Sequence, residues 1–157
     1  MSLKELVIIR IGHHSCERLT ELGREQMRTL AQHIRPIVLR NCGEQPDWGV
    51  SGMTSTAMCA VESAAIIAEA CGLRRFDERD FLWSDGAHEQ QNERVLKLIR
   101  MDAGQTALLV VTHYEYAIDL PVLYGVHALG VIFPRIPLDF GMARVINCET
   151  KSHMIRP

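Results

Sequence analysis

The chain predicts an α/β fold: a three-layer sandwich with a mostly parallel central sheet and helices on both faces. Three observations carry this. Residues 6–11 and the Ala-Leu-Leu-Val-Val run inside 105–112 are short, apolar and lack polar alternation, as strands covered on both faces do. Segments of helical periodicity lie between such runs, so strand and helix alternate along the chain. The 157 residues, 47% hydrophobic and 23% charged, suit one core and one domain over 1–157, with no composition break, internal repeat or low-complexity segment.

The elements follow in order. Residues 6–11 read as a central strand that ends in Arg10, Ile11 and Gly12. Thr20 is placed to cap a helix, and Glu21 sits in its first turn, where the helix dipole favours negative charge. Leu22, Met27, Leu30, Ala31 and Ile34 then recur at helical spacing, and Pro36 is expected to end or kink the helix unless Ile37, Val38 and Leu39 carry it on. Residues 41–47, with Gly43 and Pro46, read as a loop, and 48–54 as a weaker strand. Residues 57–70 are alanine-rich and read as a buried helix closed by Cys71 and Gly72.

Residues 75–83 are ambiguous and can hold a short strand. Residues 88–101 read as an amphipathic helix with Val95, Leu98 and Ile99 inward and a Glu93–Lys97 pair on its surface. Residues 105–112 contain the clearest strand of the second half. Residues 116–124 read as helix despite Pro121. Residues 131–133 and 143–148 are late strand candidates, with 153–155 returning as an edge.

Composition excludes several function classes. A net charge of -2 offers no global basic field for nucleic acid or an anionic membrane. No apolar run is long enough to span a bilayer, and the N-terminus has no secretory-leader pattern. The five cysteines (Cys16, Cys42, Cys59, Cys71, Cys148) are odd in number and unpaired in spacing, which argues against a disulfide frame or a zinc cage. A reducing, cytoplasmic setting is the simplest expectation, and no metal or cofactor is expected.

Function is written at the strand ends. An arginine closing a central strand places a guanidinium at the carboxyl edge of the sheet, where open α/β folds bind ligands. The stretch Val-Ile-Ile-Arg10-Ile11-Gly12, with Leu19-Thr20-Glu21-Leu22-Gly23-Arg24-Glu25-Gln26 after it, resembles the opening of the histidine phosphatase superfamily, the phosphoglycerate mutase-like proteins. There the strand ends Arg-His-Gly and the helix begins Leu-Thr-Glu-x-Gly-Arg-Glu-Gln. Two further segments resemble the family. Thr54-Ser55 through Ala70 is similar to its Thr-Ser-Pro-Leu-x-Arg-Ala-x-x-Thr-Ala helix, and Val110-Val111-Thr112-His113 to its Val-Val-Ser-His-Gly strand end. The likeness runs from Leu6 to about Val126, and in length the chain resembles small bacterial phosphohistidine phosphatases.

The resemblance implies a phosphate site built from Arg10, Gly12 and His113, with Tyr114 as a pocket wall in place of the family's usual glycine. It also implies two losses. Ile11 stands where the family has its nucleophilic histidine, and hydrocarbon offers no lone pair. Cys59 stands where the family has a second phosphate-binding arginine, and a thiol does not replace a fixed cation.

The expected function is therefore a degenerate, non-catalytic histidine phosphatase-like protein. It would bind a phosphorylated small molecule or a phosphoprotein. One alternative is an active phosphomonoesterase or phosphohistidine phosphatase that uses His13 or His14 as a substitute nucleophile. Another is an interaction subunit that does not use the old pocket. Metal binding by His13, His14 and His113 lacks any supporting spacing. Asp77, Glu78, Asp80 and Asp85 lie where many family members place a leaving-group acid, but none sits in a recognisable motif.

Overall fold

A computed structural model of the protein describes residues 2–42, 49–83, 88–101 and 104–157, with the backbone alone at 88–90. A six-stranded sheet runs through its centre. Four parallel strands come first: β1 (Glu5–Arg10), β4 (Val50–Thr54), β5 (Asp77–Glu78) and β6 (Ala107–Thr112). Two antiparallel strands, β7 (Ala143–Asn147) and β8 (Ser152–Arg156), complete it in the order β5-β4-β6-β1-β7-β8. A small hairpin of β2 (His14–Ser15) and β3 (Arg18–Leu19) stands apart from the sheet.

The pleat sorts the β1 side chains onto two faces. Val7, Ile9 and Ile11 join the core formed with helices α1 (Glu21–Cys42) and α2 (Met58–Cys71). Leu6 and Ile8 join the core formed with α3 (His88–Met101) and α4 (Tyr114–Tyr124). The α/β/α sandwich expected from the sequence is the architecture observed. β1 and β6 are neighbours, yet β1 leads through the β2–β3 hairpin into α1 and β6 leads directly into α4, on opposite faces. Such a divergence opens a crevice at the carboxyl ends of the strands.

Local chemistry accounts for the helix limits. Thr20 caps α1 as expected, its Oγ1 accepting the Gly23 N–H at 3.1 Å. Gly72 closes α2 in the left-handed conformation, its N–H directed at the Ala68 and Glu69 carbonyls. Pro36 does not end α1. The helix runs on to Cys42, because Ile34, Ile37 and Val38 are buried on one face and their packing offsets the missing hydrogen bond. Pro121 is likewise carried inside α4, which passes into a wide turn at Gly125–Leu129.

Other expectations need correction. Leu22 faces solvent. Residues 131–133 form no strand. They begin an irregular strap over 131–140 that buries Phe133 and Leu138 against the α4 face of the sheet. Residues 75–83 hold β5 and a tight 3-10 turn at Asp80–Leu82. The expected loop at 41–47, its strand neighbour Trp48 and the acid candidate Asp85 lie outside the described residues, apart from Asn41 and Cys42, which extend α1. No helix among the described residues is long and apolar enough to cross a membrane.

Candidate functional site

The loops after all four parallel strands meet over one cavity of about 320 Å³. The hairpin after β1 supplies His14, Cys16 and Glu17, the β4–α2 turn supplies Thr56 and Ala57, and the start of α2 supplies Met58 and Cys59. Trp83 comes after β5, and His113 closes β6. Glycine lets the first wall approach. A Cβ on Gly12 would lie 2.6 Å from the Gly23 carbonyl oxygen, and one on Gly23 would lie 2.0 Å from that of His13. The start of α1 is thereby clamped against the end of β1. The Gly12 N–H points at Ser63 Oγ (3.3 Å), so it braces α2. Cys16 takes a left-handed φ of 56° in the turn of the hairpin, which Glu62 ties to α2 by accepting Arg18 Nε at 2.8 Å and the Leu19 N–H at 3.2 Å.

Arg10 and His113 stand at the ends of adjacent strands, and Arg10 pairs in register with Thr112. Arg10 continues the alternation of Leu6 and Ile8 and so points to the α4 side. Its Nη1 donates to the Leu138 carbonyl at 2.6 Å. Its guanidinium lies between the Phe140 ring (4.0 Å to the centroid) and the Tyr114 ring (4.6 Å). Tyr114 thus covers Arg10, while the cavity wall itself is made by others. Burial lowers the guanidinium pKa, opposed by the charges of Tyr114, Asp139 and Glu115, and an arginine stays protonated throughout. Its Nε is buried without a hydrogen-bond partner among the described residues, as is Nδ1 of His14.

His113 shares a 2.8 Å hydrogen bond between Nε2 and Ser55 Oγ, and its ring stacks on Trp83 with centroids 6.4 Å apart. Its pKa is lowered to about 4, chiefly by burial and further by the charges of His14 and Arg10, with Glu115 opposing. The imidazole is therefore neutral at neutral pH. It offers one donor and one acceptor rather than a positive charge.

The two positions that the resemblance reads as replaced, Ile11 and Cys59, are both in apolar surroundings. Ile11 is 2% exposed and packs in the α1–α2 core, its backbone held by Thr112 and Gly141. Cys59 is buried at the cavity wall, and burial pushes its thiol pKa up, so it stays uncharged.

The two histidines of the hairpin entrance part company. His13 turns back toward α1, its Nδ1 2.7 Å from Thr20 Oγ1 and its N–H donating to Gln26 Oε1 at 2.9 Å. His14 lines the cavity. Among the acid candidates, Asp77 pairs with Arg79 and Glu78 with Arg75, and Glu17 is the carboxylate of the cavity wall. Among the described residues no group of three histidine, cysteine or acidic side chains is arranged to hold a metal ion.

Sequence reasoning does not reach Trp83, Ser55, Phe140 or Leu138. Ser55 is visible as part of the Thr54-Ser55 pair. The other three are brought in by segments without a motif.

Solved structures match this fold over nearly the whole chain. The protein histidine phosphatase SixA complexed with tungstate aligns with a TM-score of 0.65 at 12% identity, over 98% of this chain and 94% of that one. A mycobacterial glucosyl-3-phosphoglycerate phosphatase aligns at 0.58 and 14%, covering 98% and 97%. Phosphoglycerate mutase from Plasmodium falciparum aligns at 0.57 and 15%, covering 100% and 91%. The chain has the histidine phosphatase fold. No protein-family model and no curated protein sequence matches it. The cavity lies at the carboxyl edge of the parallel strands, where His14, residues 56–59 and His113 converge, while Arg10, Gly12 and Tyr114 are not among its lining residues.

Proposed function

We propose that this chain is a histidine phosphatase-like protein that binds a phosphorylated ligand, a small molecule or a phosphoprotein, without turning it over. The observation that carries this reading is Ile11. At the position that the resemblance assigns to the nucleophile, the chain has a hydrocarbon side chain, 2% exposed and packed in the core. Phosphoryl transfer through a covalent histidine intermediate needs a ring nitrogen in line with phosphorus, and isoleucine supplies none.

Binding is a separate matter from chemistry. Leu138 and the two aromatic rings hold the Arg10 guanidinium by one Nη and by its faces. The Nε–Nη2 edge is left, and that edge of an arginine can take two phosphate oxygens at once. His14 Nδ1 and the neutral His113 ring add hydrogen-bonding capacity nearby.

The test is calorimetric titration with inorganic phosphate and with phenyl phosphate, beside a turnover assay of phenyl phosphate. Binding without turnover is expected, with Arg10→Ala weakening binding by about 10–100-fold, the range for a charge-assisted hydrogen-bonded pair. Absence of binding by every phosphate tried, or wild-type turnover, overturns the reading. His14 favours a second reading, because its Nδ1 is unpaired and its ring lines the cavity. If turnover is seen, a trapped phosphohistidine that disappears in His14→Ala supports His14 as substitute nucleophile. His13 is engaged by Thr20 and is expected to leave turnover unchanged when replaced by alanine.

A further inference from the structure

Three large apolar side chains stand exposed at the carboxyl edge of the sheet, two of them in the cavity wall. Met58 is 47% exposed, Trp83 55% and Tyr114 43%. Met58 and Trp83 line the cavity together with Ala57 and Cys59, and Tyr114, next in the chain to the lining residue His113, lies over Arg10. Scattered apolar residues on a surface need no explanation, but a group of them around one concave site marks a place where something apolar docks.

The exposure of Trp83 is built in. The 3-10 turn that precedes it is pinned to two strand ends: Thr112 Oγ1 donates to the Leu82 carbonyl at 2.8 Å, and the Arg79 N–H donates to Thr54 O at 2.8 Å. The Trp83 N–H closes the turn onto Asp80 O at 3.1 Å. The indole is thus held out over the carboxyl edge of the sheet with one face against His113.

Charge narrows the occupant. Among the described residues no lysine or arginine lines the cavity, and Glu17 is its carboxylate. This half of the site supplies no cation for a second phosphate or carboxylate. A flat aromatic body, by contrast, can stack on an indole and contact a thioether edge-on. The volume, about 320 Å³, is at the small end of the ligand-holding range and leaves room for an aromatic ring.

We propose that the ligand is an aryl phosphate, its phosphoryl group at Arg10 and His113 and its ring in the cavity against Trp83 and Met58. This inference rests on the phosphate-binding reading above and adds the ligand's body to it. Trp83 and Met58 are the specificity-determining residues.

The experiment compares phenyl phosphate with methyl phosphate by calorimetry on the full chain. Phosphotyrosine, free and within a short peptide, is titrated alongside to separate a metabolite from a protein-borne ester. Phenyl phosphate is expected to bind at least about tenfold more tightly than methyl phosphate. Trp83→Ala is expected to erase that preference, phenyl phosphate losing more affinity than methyl phosphate. Trp83→Phe should keep most of it, and Arg10→Ala should weaken both esters together. Unchanged thermal melting of Trp83→Ala establishes that the fold is intact, as a half-exposed side chain predicts. Equal affinity for the two esters in the wild type, or a preference that survives Trp83→Ala, overturns the proposal while the phosphate-binding reading stands. If neither ester binds, both fall together.

Discussion

His113 connects the electrostatics of the site to a measurable quantity. Its ring is pulled down to a pKa of about 4, mainly by burial. The unfolded chain should titrate the same side chain near 6.5. Between these values the unfolded state binds more protons than the folded one, so stability falls as pH falls through that window. Above about pH 6.5 the contribution is fully present, and below about pH 4 it is fully lost. At about pH 5, protonation favours the unfolded state about 30-fold for this group alone, which corresponds to about 2 kcal/mol.

The perturbation is His113→Gln, which removes the titration and keeps a polar group facing Ser55. Urea denaturation of both proteins between about pH 7.5 and about pH 5 measures the difference. The wild type should lose about 2 kcal/mol more than the variant over that range. Burial also lowers His153, with Arg144 adding to the shift, so a residual slope of the same sign is expected in both proteins. The difference between the curves isolates His113. Parallel curves, or a ring proton of His113 titrating at about pH 6 or above by NMR, refute the reasoning.

Four further outcomes are expected. Ile11→His combined with Cys59→Arg restores the family's residues and should produce turnover of phenyl phosphate absent from the wild type. Ile11→His alone should lower stability by about 2 kcal/mol in urea, because an imidazole replaces buried hydrocarbon. Gly23→Ala should destabilise by about 3 kcal/mol, since its Cβ would sit 2.0 Å from a backbone oxygen and neither backbone can yield cheaply. Arg40→Ala leaves the buried Glu5 carboxylate with Asn41 as its remaining described side-chain partner and should cost about 2–3 kcal/mol by urea denaturation.

Parts of the fold and of the site are legible in residue order alone. The strand at β1 shows in its unbroken apolar run, the α1 start in Thr20 followed by Glu21, and the α2 end in Gly72. These are signals within a few residues of each other, and hydrogen bonding and burial act on them locally. Pro36 misleads because the local penalty is real, yet three distant contacts of the same helix outweigh it. The strap over 131–140 misleads because an apolar run of strand length can also bury itself as an irregular segment, without joining the ladder.

By itself, the amino-acid sequence determined that a guanidinium ends the central strand, that hydrocarbon follows it at Ile11, that a thiol stands at Cys59 near the start of the alanine-rich helix, and that a histidine closes β6. Each follows from residue identity and short-range pattern. The tertiary structure alone decided where those groups face. The pleat sent Arg10 to the α4 side and Ile11 into the opposite core, and the strap brought Leu138 and Phe140 to the guanidinium. A turn pinned by Thr112 and Thr54 carried Trp83 to His113. Those meetings join segments tens of residues apart, and they are set by how the layers pack rather than by any neighbouring residue.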